Sequence, residues 1–336
     1  CIILLYFAAS VSLNDSLNPI ALYGAIPLSF FLSFSVGNSI KANKYVKHLF
    51  YLILWIAFTY IGATYIQEAN YQMKNLLGVF VFSVTLANLS KNKRCIPWLY
   101  GIFIILFIQA LIYANNHILI EGFDTSKDRL NDEKLNANTV AYYTFFVTFA
   151  LYELGNTFLV KKDSVVRVFR ICFLAMYIIS FIVALLTASR QVLIIQLPLL
   201  ALLTYIRYIK GASAKRKVVF ILIASVICIS SIDKIADAYD NSFLKVRSEQ
   251  DAKDDVRGVL MQDAIKVGFE HPVMGVGPGN YVRYSFNKHF SHCTYTELFA
   301  NTGVFGFLIY VTLLLMFIKK QWNRMRIYRD KAYLVF

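Results

Sequence analysis

The residues best equipped for chemistry are a few arginines and histidines spread over the second half of the chain: Arg190, Arg257, Arg283 and His292, with Lys288 and His289 close by. A guanidinium is planar and matches phosphate oxygens two at a time, so converging arginines suit a phosphate-bearing substrate or leaving group. Histidine is the usual general base near neutral pH. Arg190 stands in TASRQ (187–191), between two apolar runs. A guanidinium at a membrane boundary is costly unless it is paired or snorkels to headgroups. The short loop and its polar neighbours Ser189 and Gln191 favour an anion site over snorkelling. Arg257 opens an amphipathic segment just after Asp254 and Asp255, which alone reads as a surface ion pair. His292 stands where a polar stretch meets the apolar run that begins near Thr294; it is either a general base or a buried histidine bonded to backbone. Glu297 lies one turn further on, on the face it shares with Asn301. A carboxylate there is a functional candidate by default, and orienting a neighbour or pairing with an arginine suits it better than direct catalysis.

Between Arg257 and His292 lies GVGPGN (275–280), with three glycines and a proline in six residues. Gly277, Gly279 and Asn280 could bring backbone N–H groups close to an anion, or form an ordinary turn. His289 and His292 are three apart, a spacing compatible with metal ligation. No cysteine or carboxylate set completes such a site, so neither a metal nor another cofactor is expected. The five cysteines, Cys1, Cys95, Cys172, Cys228 and Cys293, are scattered, which argues against a disulfide framework.

The elements that must position these residues are set by composition. The chain is 58% hydrophobic and 16% charged over 336 residues, where a soluble domain is about 25% charged. Mean hydropathy is +0.55. This is an all-α polytopic membrane protein. The net charge of +14 sits in segments between apolar runs, so it marks membrane topology rather than nucleic acid. At roughly 20 apolar residues per crossing, the runs predict about ten spans: 1–13, 20–37, 48–66, 76–90, 96–114, 139–160, 168–187, 192–209, 218–231 and 296–318. Every second connection is basic: 41–47, 91–94, 161–162, 210–217 and 319–331. Those segments are predicted to be cytoplasmic, and the 232–295 loop to lie outside. The 115–138 loop, with its mixed-charge middle, reads as solvated, and Asn136 and Asn138 as helix caps. The predicted organisation is a transmembrane part (1–231), an extracytoplasmic loop (232–295), then a last helix, a basic segment and the start of a further span (296–336). In the loop, Val256, Val259, Leu260, Ala264 and Val267 recur at helical spacing. They predict an amphipathic helix lying on a surface and ended by Gly268 and Pro272. The missing initiator Met and the apolar run cut off at Phe336 predict an internal fragment.

The Arg257-led helix, the HPVMGVGPGN turn and a histidine shortly before TELFANTGVFG together resemble the C-terminal signature of the bacterial O-antigen ligase and O-antigen polymerase membrane proteins. The likeness covers roughly fifty residues, with a smaller match at TASRQ. It implies a membrane glycosyltransferase that moves a glycan from undecaprenyl pyrophosphate to a hydroxyl of an acceptor sugar. The acceptor is another lipid-linked repeat unit in a polymerase of O-antigen or capsule, or lipid A core in a ligase. The resemblance implies Arg190 and Arg257 against the departing pyrophosphate and His292 as the base. Arg283, Lys288, Gly277, Gly279, Asn280 and Glu297 would bind substrate. It further implies a bacterial inner-membrane location with the loop facing the periplasm, membrane lipid as a partner, and a chain-length regulator as a protein partner. The polymerase reading is preferred to the ligase. A lipid-oligosaccharide flippase is the rival from another class, and it should place charges along a path through the bundle rather than at one face.

Overall fold

The computed structural model describes residues 24, 26–37, 43–121, 137–156, 160, 162–246, 256–286 and 288–328, which are mostly helical and contain no strand. The longer elements are α1 (Ile26–Gly37), α2 (Lys44–Thr59), α3 (Ile66–Leu89), α4 (Ile96–Glu121), α5 (Ala137–Leu154), α6 (Asp163–Thr187), α7 (Val192–Ile209), α8 (Ala214–Asp240), α9 (Val256–Glu270), the single turn α10 (Tyr281–Tyr284) and α11 (Thr294–Tyr328). Four helices among the described residues are long and apolar enough to cross a membrane: Lys44–Gly62, Asp163–Thr187, Val192–Ile209 and Thr294–Asn323. They overlap the expected spans 48–66, 168–187, 192–209 and 296–318, the third of them end to end. The expected spans 96–114 and 218–231 fall within α4 and α8, 76–90 within α3 to one residue, and 139–160 outruns α5, which ends at Leu154. The 1–13 run lies outside the described residues, as do most of the 115–138 loop, including Asn136, and the acidic pair Asp254 and Asp255.

Two compact units form, one from Asn92–Gln250 and one from Pro27–Lys91 with Asp251–Leu334. In the first, α5, α6 and α7 pack through a small polar core. The first five residues of α7 are π-helical, and this wider turn carries Gln196 inward. Its Nε2 donates to the Thr144 carbonyl at 3.3 Å, to Ser180 Oγ at 3.4 Å and to Thr148 Oγ1. Polar groups inside apolar helices hold such helices together because the surroundings offer them no other partner. The turn between α6 and α7 is tight: Ala188 caps α6 in the left-handed conformation at φ 47°, and Arg190 follows, half-buried.

In the second unit α2 runs antiparallel to α11. At one end the Tyr45 ring stacks on Phe317 at 4.6 Å, with Lys320 Nζ 4.6 Å over the same ring. At the other end Trp55 meets Phe305 at 5.2 Å. The basic segments around Lys44 and Lys320 therefore share one end of the pair, and the glycine-rich turn lies at the opposite end. Asn43 begins α2 by accepting the Tyr45 N–H at 3.3 Å, so the helix starts four residues before the expected span and includes Lys44 and Lys47. Likewise α3 begins at Ile66 rather than near 76. Nothing in its first turns breaks a helix, and Gln67, Glu68 and Gln72 make those turns polar.

The amphipathic segment forms the predicted helix, α9. Its stripe residues Leu260, Ala264 and Val267 are buried, the last two in a cluster with Val276, Tyr281 and Ala300. Val259, from the same stripe, stays exposed. Ala264 and Val267 are covered by the glycine-rich turn and the first turns of α11, so their burial fastens the loop to that helix.

Candidate functional site

The site grows from a break in α11. At Gly303 the backbone leaves the helix with φ 67° and ψ −171°, a combination open essentially to glycine alone. A Cβ there would run into the Val273 carbonyl. The break frees carbonyls that a membrane helix cannot leave unpaired, and each finds a donor. Val276 N donates to the Ala300 carbonyl at 2.9 Å and Gly277 N to the Asn301 carbonyl at 3.0 Å. Trp55 Nε1 donates to the Thr302 carbonyl at 2.9 Å. In return Val304 N donates to the Pro272 carbonyl at 2.8 Å. The HPVMGVG turn is thus sewn into the interrupted helix.

This construction decides what the turn can offer a ligand. Gly277, at φ 96°, gives its N–H to Asn301, and a Cβ on it would come within 2.6 Å of Ala63 Cβ. Asn280 is fully buried. Its Oδ1 accepts the Tyr65 N–H at 2.7 Å and its Nδ2 donates to the Pro278 carbonyl at 3.1 Å. Both residues were expected to touch substrate. The Gly277 N–H and both ends of the Asn280 amide are engaged by the protein itself. Tyr281 completes the support. Its N–H donates to Asn301 Oδ1 at 2.8 Å, and its hydroxyl donates to Asp263 Oδ2 at 3.1 Å and to the Leu260 carbonyl at 3.2 Å. Burial, with the Asp263 carboxylate adding to it, pushes the Tyr281 phenol up to about 12.

Above this support a cavity of about 520 Å³ opens between the first turns of α3 and the 279–290 segment. Gln67, Glu68, Tyr71 and Gln72 form one wall, and Gly279, Val282, Arg283, Lys288 and Phe290 the other. Of the residues expected to bind substrate, Gly279, Arg283 and Lys288 come together here. Arg283 does not face the cavity as a free cation. Its Nε lies 2.7 Å and its Nη2 2.5 Å from Glu68 Oε1, and this partner holds the Glu68 carboxyl below its ordinary value. Lys288 Nζ donates to the Arg283 carbonyl at 2.5 Å.

The other candidates lie elsewhere. Arg257 is exposed on the first turn of α9 and does not line the cavity. His292 is exposed at φ 56° just before α11, and its imidazole has no hydrogen bond among the described residues. Around it, Glu297 Oε2 accepts the Ser291 N–H and hydroxyl, both at 3.3 Å. Thr296 Oγ1 donates to the Cys293 carbonyl at 3.1 Å. Glu297 therefore fixes the residue next to His292 rather than pairing with an arginine. Arg190 belongs to the first unit. Among the described residues no group of three metal-ligating side chains converges. The α3 wall was missed in sequence, although Gln67, Glu68, Tyr71 and Gln72 carry a readable signal: a polar face at helical spacing next to a loop predicted to lie outside.

Residues 175–311 match a family model described as O-Antigen ligase. The match takes in Arg190, Arg257, the glycine-rich turn, His292 and Glu297, and stops short of the α3 wall. No curated protein matches the chain, and no solved structure does.

Proposed function

We propose that this chain, whose residues 175–311 form an O-antigen ligase-family segment in an all-helical membrane protein, is a bacterial membrane glycosyltransferase that polymerises lipid-linked repeat units into surface polysaccharide. The observation that carries the reading is the coincidence of that family match with a polar, glycine-sewn platform at the end of the α2–α11 pair opposite its basic segments. By the positive-inside rule, the platform faces the periplasm. In the reaction an acceptor hydroxyl oxygen attacks the anomeric carbon of the donor glycan. The bond from that carbon to the pyrophosphate oxygen breaks, and undecaprenyl pyrophosphate leaves with the bonding electrons. Arg257 offsets the growing charge on the pyrophosphate, and His292 takes the hydroxyl proton. Transfer to lipid A core by the same chemistry would make the protein a ligase. A deletion strain examined for surface glycan tests the reading. Single lipid-linked repeats that fail to elongate establish the polymerase, long polymer left on undecaprenyl carrier establishes the ligase, and unaltered glycan overturns both.

A further inference from the structure

We infer that the cavity between α3 and the 279–290 segment is a carbohydrate subsite, taking the hydroxyl-bearing glycan of a substrate rather than its pyrophosphate. The inference rests on the glycosyltransferase reading and adds to it a binding wall, Gln67, Glu68, Tyr71 and Gln72, outside the family-matching segment. Charge separates the two ligands. Among the described lining residues Arg283 and Glu68 form a pair with no net charge, which leaves the charge of Lys288. A pyrophosphate brings at least two negative charges to a lining whose net charge is a single positive one, and to reach the Arg283 guanidinium it must displace Glu68 or lie beside that carboxylate as a like charge. A neutral polyol meets the opposite situation. The carboxylate accepts from hydroxyls, while the guanidinium, which has five N–H donors and points two nitrogens at Glu68, can donate to others. The amides of Gln67 and Gln72 supply both functions.

The apolar lining fits the same ligand. Tyr71 and Phe290, one from each side of the lining, stand 69% and 58% exposed, rings left open to a ligand. A sugar ring presents C–H bonds on one face and hydroxyls at its rim, so it can cover an aromatic ring while its edge reaches the charged pair. The cavity lies within the roughly 300–1,000 Å³ typical of small-molecule sites, room for a short oligosaccharide.

The test uses the full chain in lipid nanodiscs and, as probe, the phosphate-free oligosaccharide released by mild acid from the surface polysaccharide of the source cell. Saturation-transfer NMR should show saturable transfer to sugar C–H protons that millimolar inorganic pyrophosphate does not displace. Tyr71→Ala and Phe290→Ala remove exposed rings, so folding is not at stake, and each should weaken binding roughly tenfold. Displacement by pyrophosphate, or wild-type binding in both variants, overturns the subsite. Turnover of lipid-linked glycan separates this inference from the reading it rests on. If the wild type transfers glycan and the double variant keeps the same KM values, the subsite fails alone. If binding maps here but no transfer occurs, the glycosyltransferase reading fails alone. A rise in acceptor KM or in donor KM supports the subsite and says which glycan occupies it.

Discussion

Trp55 donates its indole N–H to the Thr302 carbonyl, 247 positions away in the chain, across 2.9 Å. The contact joins α2 to the gap in α11 and satisfies a carbonyl that Gly303 has freed from helical pairing. Trp55→Phe keeps an aromatic ring near Phe305 and removes only the donor. Leaving a buried carbonyl unpaired costs about 1–3 kcal/mol. The variant is therefore expected to unfold at lower temperature in nanodiscs while still inserting. An unchanged unfolding midpoint would show that the carbonyl has another partner.

The glycines should divide sharply by position. Gly303→Ala places a Cβ against the Val273 carbonyl in a backbone region that alone costs about 1–3 kcal/mol for another residue. Gly277→Ala meets Ala63 at 2.6 Å at φ 96°. Both variants should lose folded protein in fluorescence-detected size exclusion. Gly78, inside α3 with nothing within 4 Å, is the control. Alanine there should be neutral or stabilising by up to about 0.5–1 kcal/mol, as for a glycine in any helix interior.

Tyr281 predicts an alkaline limit. Its phenol is raised from an ordinary value near 10 to about 12 in the folded protein, so folding favours the protonated form. That contribution is complete below pH 10 and is lost as pH climbs from 10 to 12. Tyr281→Phe should be less stable than the wild type at neutral pH, because Asp263 and the Leu260 carbonyl lose their donor. It should also show a shallower loss of stability between pH 10 and 12. Parallel pH curves for the two proteins would rule out this role.

The helices and the loop's own helix were legible because hydropathy and 3.6-residue spacing are local signals. The function of the GVGPGN glycines was not. Gly277 is required by the approach of Ala63 and Gly303 by the approach of Val273, and neither partner is a neighbour along the chain. Glu68 escaped for the same reason. It stands out as a lone acid at a helix start, but its partner Arg283 is 215 positions away. Asn280 looked like a ligand group because it is polar and follows a glycine. Only the fold shows its amide bonded to Tyr65 and Pro278.

Topology can be tested at sites whose exposure is known. Ser242, in the segment expected to lie outside, is buried, whereas Asn241 beside it and Ser213 in the basic segment are exposed. In a cysteine-free background, Asn241→Cys should react with a membrane-impermeant maleimide in cells with a permeabilised outer membrane, and Ser213→Cys only after lysis. The reverse pattern would turn the protein over and remove the periplasmic glycosyltransferase reading with it.

His292 is the residue on which the proposed chemistry turns. It stands at φ 56°, a conformation that histidine and asparagine tolerate better than most side chains. Its neighbours are pinned by Glu297 and Thr296 while its own ring is exposed. His292→Asn therefore keeps the backbone preference and removes the base, and it should fold and insert like the wild type. If the imidazole takes the acceptor proton, transfer should drop by about 10²–10⁴-fold, the usual worth of general-base catalysis. His289→Asn, in the preceding loop, should cost far less. The pH profile of the purified wild type separates a base from an anion-binding cation. A base must be neutral, so kcat/KM falls toward acid pH, whereas a cationic anchor loses rate toward alkaline pH. Wild-type turnover by His292→Asn would dismiss both roles and leave the arginines to account for catalysis.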